Sequence, residues 1–127
     1  MDLENTNYSQ YLDPLGSMEA ALHGLNMRSK AIGSNIANVN TQGYIRREVN
    51  FEDSLQQKLA ENKEEFPTQK FNESIQTQLD LASPSTGASN VNIEREMLDL
   101  TQTGLRFKAV SNMAKKYFEN MRGIIRG

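Results

Sequence analysis

Cysteine is absent from these 127 residues, so there is neither a disulfide framework nor a thiolate metal site. Tryptophan is absent too, and histidine occurs once, as His23, which leaves no histidine pair for a metal cluster. Aromatic residues make up 7% of the chain and hydrophobic residues 37%, thin material for a compact core. A chain that buries little alone often completes itself against partners. Neither sign of charge is in large excess. Fourteen Lys and Arg stand against sixteen Asp and Glu, a net charge of −2, which argues against a general nucleic-acid binder. No run approaches the ~18 apolar residues of a membrane span. The opening Met1-Asp2-Leu3-Glu4-Asn5-Thr6-Asn7 has no basic and no apolar region, and so is not read as a secretory signal. The length has room for one modest domain.

What is present is a pair of long amphipathic patterns. The first is expected to begin at Asp13-Pro14, an N-cap followed by proline at the first helical position. Leu15, Met18, Leu22, Leu25, Ile32, Ile36 and Val39 then recur in alternating steps of three and four, with Ser29 as a polar break. Gly16, Gly24 and Gly33 work against this helix, each by about 1 kcal/mol relative to Ala, so it is expected to depend on packing. Residues 1–12 ahead of it read as a flexible tail.

The pattern stops at Asn35-Ile36-Ala37-Asn38-Val39-Asn40-Thr41-Gln42-Gly43-Tyr44. Asn38 and Asn40 tolerate left-handed backbone and bond locally, and Gly43 offers a positive φ at no steric cost. Beyond Tyr44 the helical period is lost. Ile45, Val49 and Phe51 share one side of a period-two pattern that Arg47 interrupts. Residues 13–51 are therefore read as helix, turn and extended arm. Residues 52–90 read as a partly ordered connector. A short helix over the polar stretch from Glu52 would be broken by Phe66-Pro67, and Ser83–Asn90 is a loop by composition.

The second long helix, in residues 91–127, is expected to start near Asn92 with Glu94 and Glu96 complementing its dipole. Its seam runs through Ile93, Met97, Leu100, Phe107, Ser111, Ala114, Phe118 and Met121. Leu98, Leu105, Val110, Met113, Tyr117 and Ile124 widen the apolar surface beyond one seam. The expected fold is all-α: two long helices packed as an antiparallel, coiled-coil-like pair. The surplus apolar surface suggests further neighbours, as in a packed filament. A three-helix core that includes part of the middle is the lesser alternative.

Nothing in the chain is arranged for catalysis. A surface or interhelical role for His23 outweighs a catalytic one. The acidic pairs Glu94 with Glu96 and Glu64 with Glu65 read as solvation and dipole complement, since no pocket is in view to shift a pKa. No nucleophile elbow or Gly-rich phosphate loop appears. Arg46-Arg47 could meet acidic neighbours, but the solvated reading is favoured. No cofactor and no metal are expected.

The wording of the turn is more specific than its physics. Asn35-Ile36-Ala37-Asn38, then Thr41, then Gly43-Tyr44 resembles the N-terminal signature of bacterial flagellar rod and hook proteins. Val91-Asn92-Ile93-Glu94-Arg95-Glu96-Met97, with Leu105-Arg106-Phe107-Lys108-Ala109, is similar to the C-terminal helix of the family's proximal rod subunit. Sister rod proteins usually carry two acidic residues before the Met and an Arg-Ala-Tyr mid-helix, where this chain has Arg95-Glu96 and Leu105-Arg106-Phe107. The resemblance covers residues 14–51 and 90–125 and leaves the middle unmatched. It implies a structural subunit of the proximal basal-body rod, not an enzyme, assembling into the helical drive shaft that transmits torque. It also implies export through the flagellar type III apparatus without a cleaved signal peptide, with export information in residues 1–12. Implied partners are other rod subunits, the rod–MS-ring adaptor, the MS ring, the export gate and further copies in a helical assembly, with no nucleic acid. Another short rod subunit, or a cytoplasmic helical-hairpin adaptor, is the alternative.

Overall fold

The computed structural model describes residues 3–61, 66–85 and 87–126. Their order is α1 (Leu3–Ala37), β1 (Arg47–Val49), α2 (Glu52–Ala60), α3 (Thr68–Ser74), β2 (Thr77–Leu79) and α4 (Ile93–Arg126). The two long helices pack together. The chain is mostly helical, but all-α needs correcting, because β1 and β2 form a small antiparallel sheet with Arg47 opposite Leu79 and Val49 opposite Thr77. The extended arm is the strand that finds this partner in the connector.

Helix α1 begins ten residues before the expected start and carries Pro14 inside it. An interior proline removes one backbone hydrogen bond and costs about 3 kcal/mol. Residues 3–12, read from the sequence as a flexible tail, are helical and continuous with the rest of α1. Met1 and Asp2 of the expected tail lie outside the described residues, as do Glu64 and Glu65. Helix α4 starts where expected. The Asn92 Oδ1 accepts from the backbone N–H of Glu94 at 3.1 Å and of Arg95 at 3.3 Å, an N-cap that satisfies two of the four orphan donors.

The connector, read as partly ordered, carries two short helices and a strand and contributes three residues to the core. Phe66, Phe71 and Ile75 are buried with Val49 and Phe51 against Ala20, Leu25 and Ala31 of α1. The Phe66 and Phe71 rings meet edge to face at 5.7 Å, a favoured aromatic geometry. The helix glycines explain how the connector gets so close. A Cβ on Gly24 would stand 2.6 Å from the Phe51 ring, and one on Gly16 would stand 3.2 Å from Phe66 Cβ. Two residues that weaken α1 locally are the notches that admit Phe51 of the arm, at Gly24, and Phe66 of the connector, at Gly16. Short helices such as α2 and α3 are held by this packing and not by propensity.

The seam of α1 faces inward: Leu25 and Ile32 are buried, and Leu15, Met18, Leu22 and Ile36 are half-buried. Half of the expected seam of α4 does, at Leu100, Ser111, Ala114 and Met121, which are half-buried. Glu96 and Thr103 are the buried residues of that helix, with Leu100, Val110, Ala114, Tyr117 and Met121 half-buried. Ile93, Met97, Phe107 and Phe118, expected at the packing seam, are exposed, Met97 by 52%. In the first turns of α4 the inward residue is Glu96 and not Met97, because Glu96 has an arginine and an amide as partners inside.

Candidate functional site

The resembling motif ends α1 and opens a turn. Asn38 holds the helix end, its Nδ2 donating to Ser34 O at 2.8 Å and its Oδ1 accepting from the Thr41 hydroxyl at 3.1 Å. The backbone N–H of Thr41 donates to Asn38 O, and that of Tyr44 donates to Thr41 O. Gly43 has φ +78°, the left-handed region that glycine enters without a Cβ penalty. Its N–H donates 2.8 Å to Ala88 O, and Ser89 Oγ donates 2.7 Å to Val39 O. The turn is thereby tied to the segment that leads into α4.

Asn35 lies under the turn and is fully buried. Its Nδ2 donates to Arg47 O at 2.7 Å and to Glu96 Oε2 at 3.1 Å. Its Oδ1 accepts from Arg47 N–H at 2.8 Å and from the Tyr44 hydroxyl at 3.0 Å. Both amide hydrogens and the carbonyl oxygen are used, and so this one side chain sets the place of the arm against the helix end. Ser34 Oγ lies 2.9 Å from the same tyrosine hydroxyl. Ile36 is half-buried beside these residues, and Ala37 is exposed at the last helical position.

Arg46 occupies the centre of the junction with 5% of its surface exposed, which corrects the solvated reading. Its Nε donates to Glu96 Oε1. Its Nη1 reaches Asp80 Oδ2 and Glu48 Oε2, each at 3.0 Å, and its Nη2 lies 3.5 Å from Asp99. Its backbone N–H donates 2.6 Å to Asn90 Oδ1. Burial works against this charge, but the hydrogen bond and charge of Glu96, with bonds from Glu48 and Asp80, hold the guanidinium above its ordinary pKa. Glu96 is completely buried, so it is an internal ion-pair partner and not a solvated dipole complement. Ile45, which shares a period-two side with Val49 and Phe51, is exposed while those two are buried. The period is broken before β1 begins, where Arg46 is the residue turned inward toward its carboxylates.

Asp80, which follows β2, completes the ring. Its carboxylate accepts from the Ser83 hydroxyl at 2.7 Å and from the backbone N–H of Ala82 and Ser83 at 3.1 Å. The Ser83 hydroxyl is the largest influence holding its pKa down from 3.8 to about 2; burial opposes it, and the two N–H groups and Arg46 add to it. Asn90 Nδ2 donates 2.7 Å to Asp80 O. Five separated segments, from the end of α1, the arm, the end of β2, the loop before α4 and the first turns of α4, thus meet at one buried polar point.

What the arrangement does chemically is hold a buried cation among carboxylates and amides. Every buried polar group described here is answered by another, and among the described residues no cluster of three metal-binding side chains exists. Arg46, Asp80, Asn90 and Glu96 were not recognised as a unit in the sequence. One signal was available: Glu96 shares its helical phase with Leu100, Thr103, Val110 and Ala114.

No family model matches the chain. It is similar to the flagellar basal body rod protein FlgB of Bacillus subtilis, 25% identical over 126 residues that cover 94% of this chain and 98% of the relative. That likeness runs through the connector as well as the two motif regions and supports a FlgB-like flagellar rod protein.

Proposed function

We propose that this protein is a structural subunit of the bacterial flagellar basal-body rod, at its proximal end, and that it works by assembly. The carrying observation is the set of apolar side chains on α4 that folding leaves in solvent. Met97, Leu98, Leu105, Met113, Phe118 and Ile124 are each more than half exposed and lie along the helix and around much of its circumference, a set that contact with α1 alone does not cover. Self-association in a helical tube would cover it, since heterologous contacts that do not close build filaments. The FlgB likeness supports the same reading and makes the chain a structural protein and not an enzyme.

In this reading α1 and α4 lie antiparallel within one subunit. Two contacts support it: Asn35 bonds to Glu96, while Leu22 lines one groove with Ser111, Ala114 and Phe118. The neighbours in the assembly are other rod subunits, the rod–MS-ring adaptor, the MS ring and the export gate. The place of action is the periplasmic rod, reached through the flagellar type III apparatus with export information in residues 1–12. Among the described residues no helix is long and apolar enough to cross a membrane.

Basal bodies purified from the source bacterium, with its own copy of the gene deleted, test the proposal. The wild-type gene should restore rods. Met97→Asp with Phe107→Asp should not, although the purified variant keeps wild-type helix content. Rods that form without this chain would overturn the assignment. Cysteines at positions 22 and 118 should crosslink within one chain; crosslinks formed only between chains would overturn the intrasubunit pairing.

A further inference from the structure

The two adjacent arginines of the arm have different fates. Arg46 is consumed inside the fold, whereas the exposed Arg47 lines a polar cleft of about 260 Å³ between α1, β1 and α4. Arg95 and Arg106 of α4 line the same cleft, and their eleven-residue separation puts them on one helix face, roughly 16 Å apart along the axis. Their charges are poorly answered. Arg95 stands 3.9 Å from Asp99 and Arg106 stands 3.5 Å from Glu52, while Glu52 is already held by two nitrogens of Arg28. No carboxylate among the described residues pairs with the Arg47 side chain. Its backbone, by contrast, is clamped on both its N–H and its C=O by the buried Asn35.

We infer that this cleft is a docking site for an acidic peptide segment of a partner protein, with Arg47, Arg95 and Arg106 as its anchors. Three guanidinium forks on rigid supports match carboxylates bidentately. About five extended residues span the distance between Arg95 and Arg106. The remaining lining favours a peptide over a nucleic acid. Glu48 and Asp99 line the cleft too, but both are held by Arg46. Asn50 and Gln102 add uncharged amides to the lining, which suit the N–H and C=O groups of a peptide backbone. The chain's net charge of −2 makes the local basic cleft stand apart from the whole. The inference does not depend on the rod reading, and it assigns Arg47 the acidic neighbour that Arg46 finds internally.

The test uses the full chain and fluorescein-labelled hexaglutamate, followed by fluorescence anisotropy at low ionic strength. Saturable binding is expected, falling with added salt. Arg47→Ala and Arg106→Ala should each weaken it on the order of five-fold, and Arg47→Glu should abolish it. Arg47→Lys should fall between, since it keeps the charge and loses the fork. Arg122→Ala, outside the cleft, should bind as wild type. Far-ultraviolet circular dichroism should show wild-type helix content in each variant. Hexaglutamate that binds no better than hexaglutamine, binding unchanged in both Arg47→Ala and Arg106→Ala, or equal binding of an oligothymidylate of matched charge would each overturn the inference.

Discussion

Helix α1 is gripped at two places by opposite physics. Along Gly16–Ala31 it meets an apolar cluster of Leu25, Val49, Phe51, Phe66, Phe71 and Ile75. Along Ser34–Val39 it meets a ring of amides, carboxylates and one arginine. The first contact is non-directional: burial stabilises by about 25 cal/mol per Å² whichever way the rings lie. The second is directional. Asn35 makes four hydrogen bonds to three other segments, and a slip of one residue in the arm would break them together. The apolar cluster holds the connector down, and the polar junction decides where the arm leaves the helix. A buried ion pair is not in itself a large source of stability, because desolvation offsets much of the attraction. Its value here is position.

The largest effect should come from halving the polar junction. Arg46→Ala leaves Glu96 buried without its cation and should cost about 3–5 kcal/mol, measured by urea denaturation of the monomer. The double change Arg46→Met with Glu96→Leu should recover most of that loss. Amide exchange at Arg47 should nonetheless stay faster than in wild type, because Asn35 loses one of its partners. Recovery of both stability and slow exchange would break the distinction between holding and positioning.

Next in size is the apolar side. Phe71→Ala should destabilise by about 3–4 kcal/mol through lost burial and a residual cavity, with little change at the Arg47 amide. A loss of protection there as large as that of Arg46→Ala would mean that the two regions are one.

Smaller effects sharpen the role of the notches. Gly24→Ala gains helix propensity but drives a Cβ into the Phe51 ring, so a net loss on the order of 1 kcal/mol is expected. Gly33→Ala meets no atom within 4 Å and should stabilise by up to about 1 kcal/mol. Thermal melts of the two variants should move in opposite directions.

The smallest prediction concerns acid. The carboxyl of Asp80 has its pKa lowered from 3.8 to about 2, so its contribution is present above pH ~4 and is lost as pH falls from there toward 2. Stability measured across that window should fall more steeply in wild type than in Asp80→Asn. Equal slopes would remove Asp80 from the account of the junction.

Much of this was legible locally. The end of α1, the turn at Gly43, the start of α4 at Asn92 and the inward seam of Leu25 and Ile32 all follow from caps, glycine and helical period. The connector was hard to read, because Phe66, Phe71 and Ile75 are isolated in polar surroundings and the residues of α1 that receive them, Ala20, Leu25 and Ala31, lie more than thirty residues away. Arg46 and Glu96 were misread for a related reason. A charged residue in sequence reads as solvated until its partner is known, and fifty residues separate these two.

Local sequence was enough for the two long helices and for the turn between the first helix and the arm. Each of those depends on neighbours within a few residues, where propensity and hydrogen-bonding geometry act directly. Which residues of α4 turn inward, which arginine is buried and which exposed, and that the connector completes the core were settled by the folded chain. Those choices rest on burial and charge pairing between distant segments. Such energies exist only once the chain has brought the segments together.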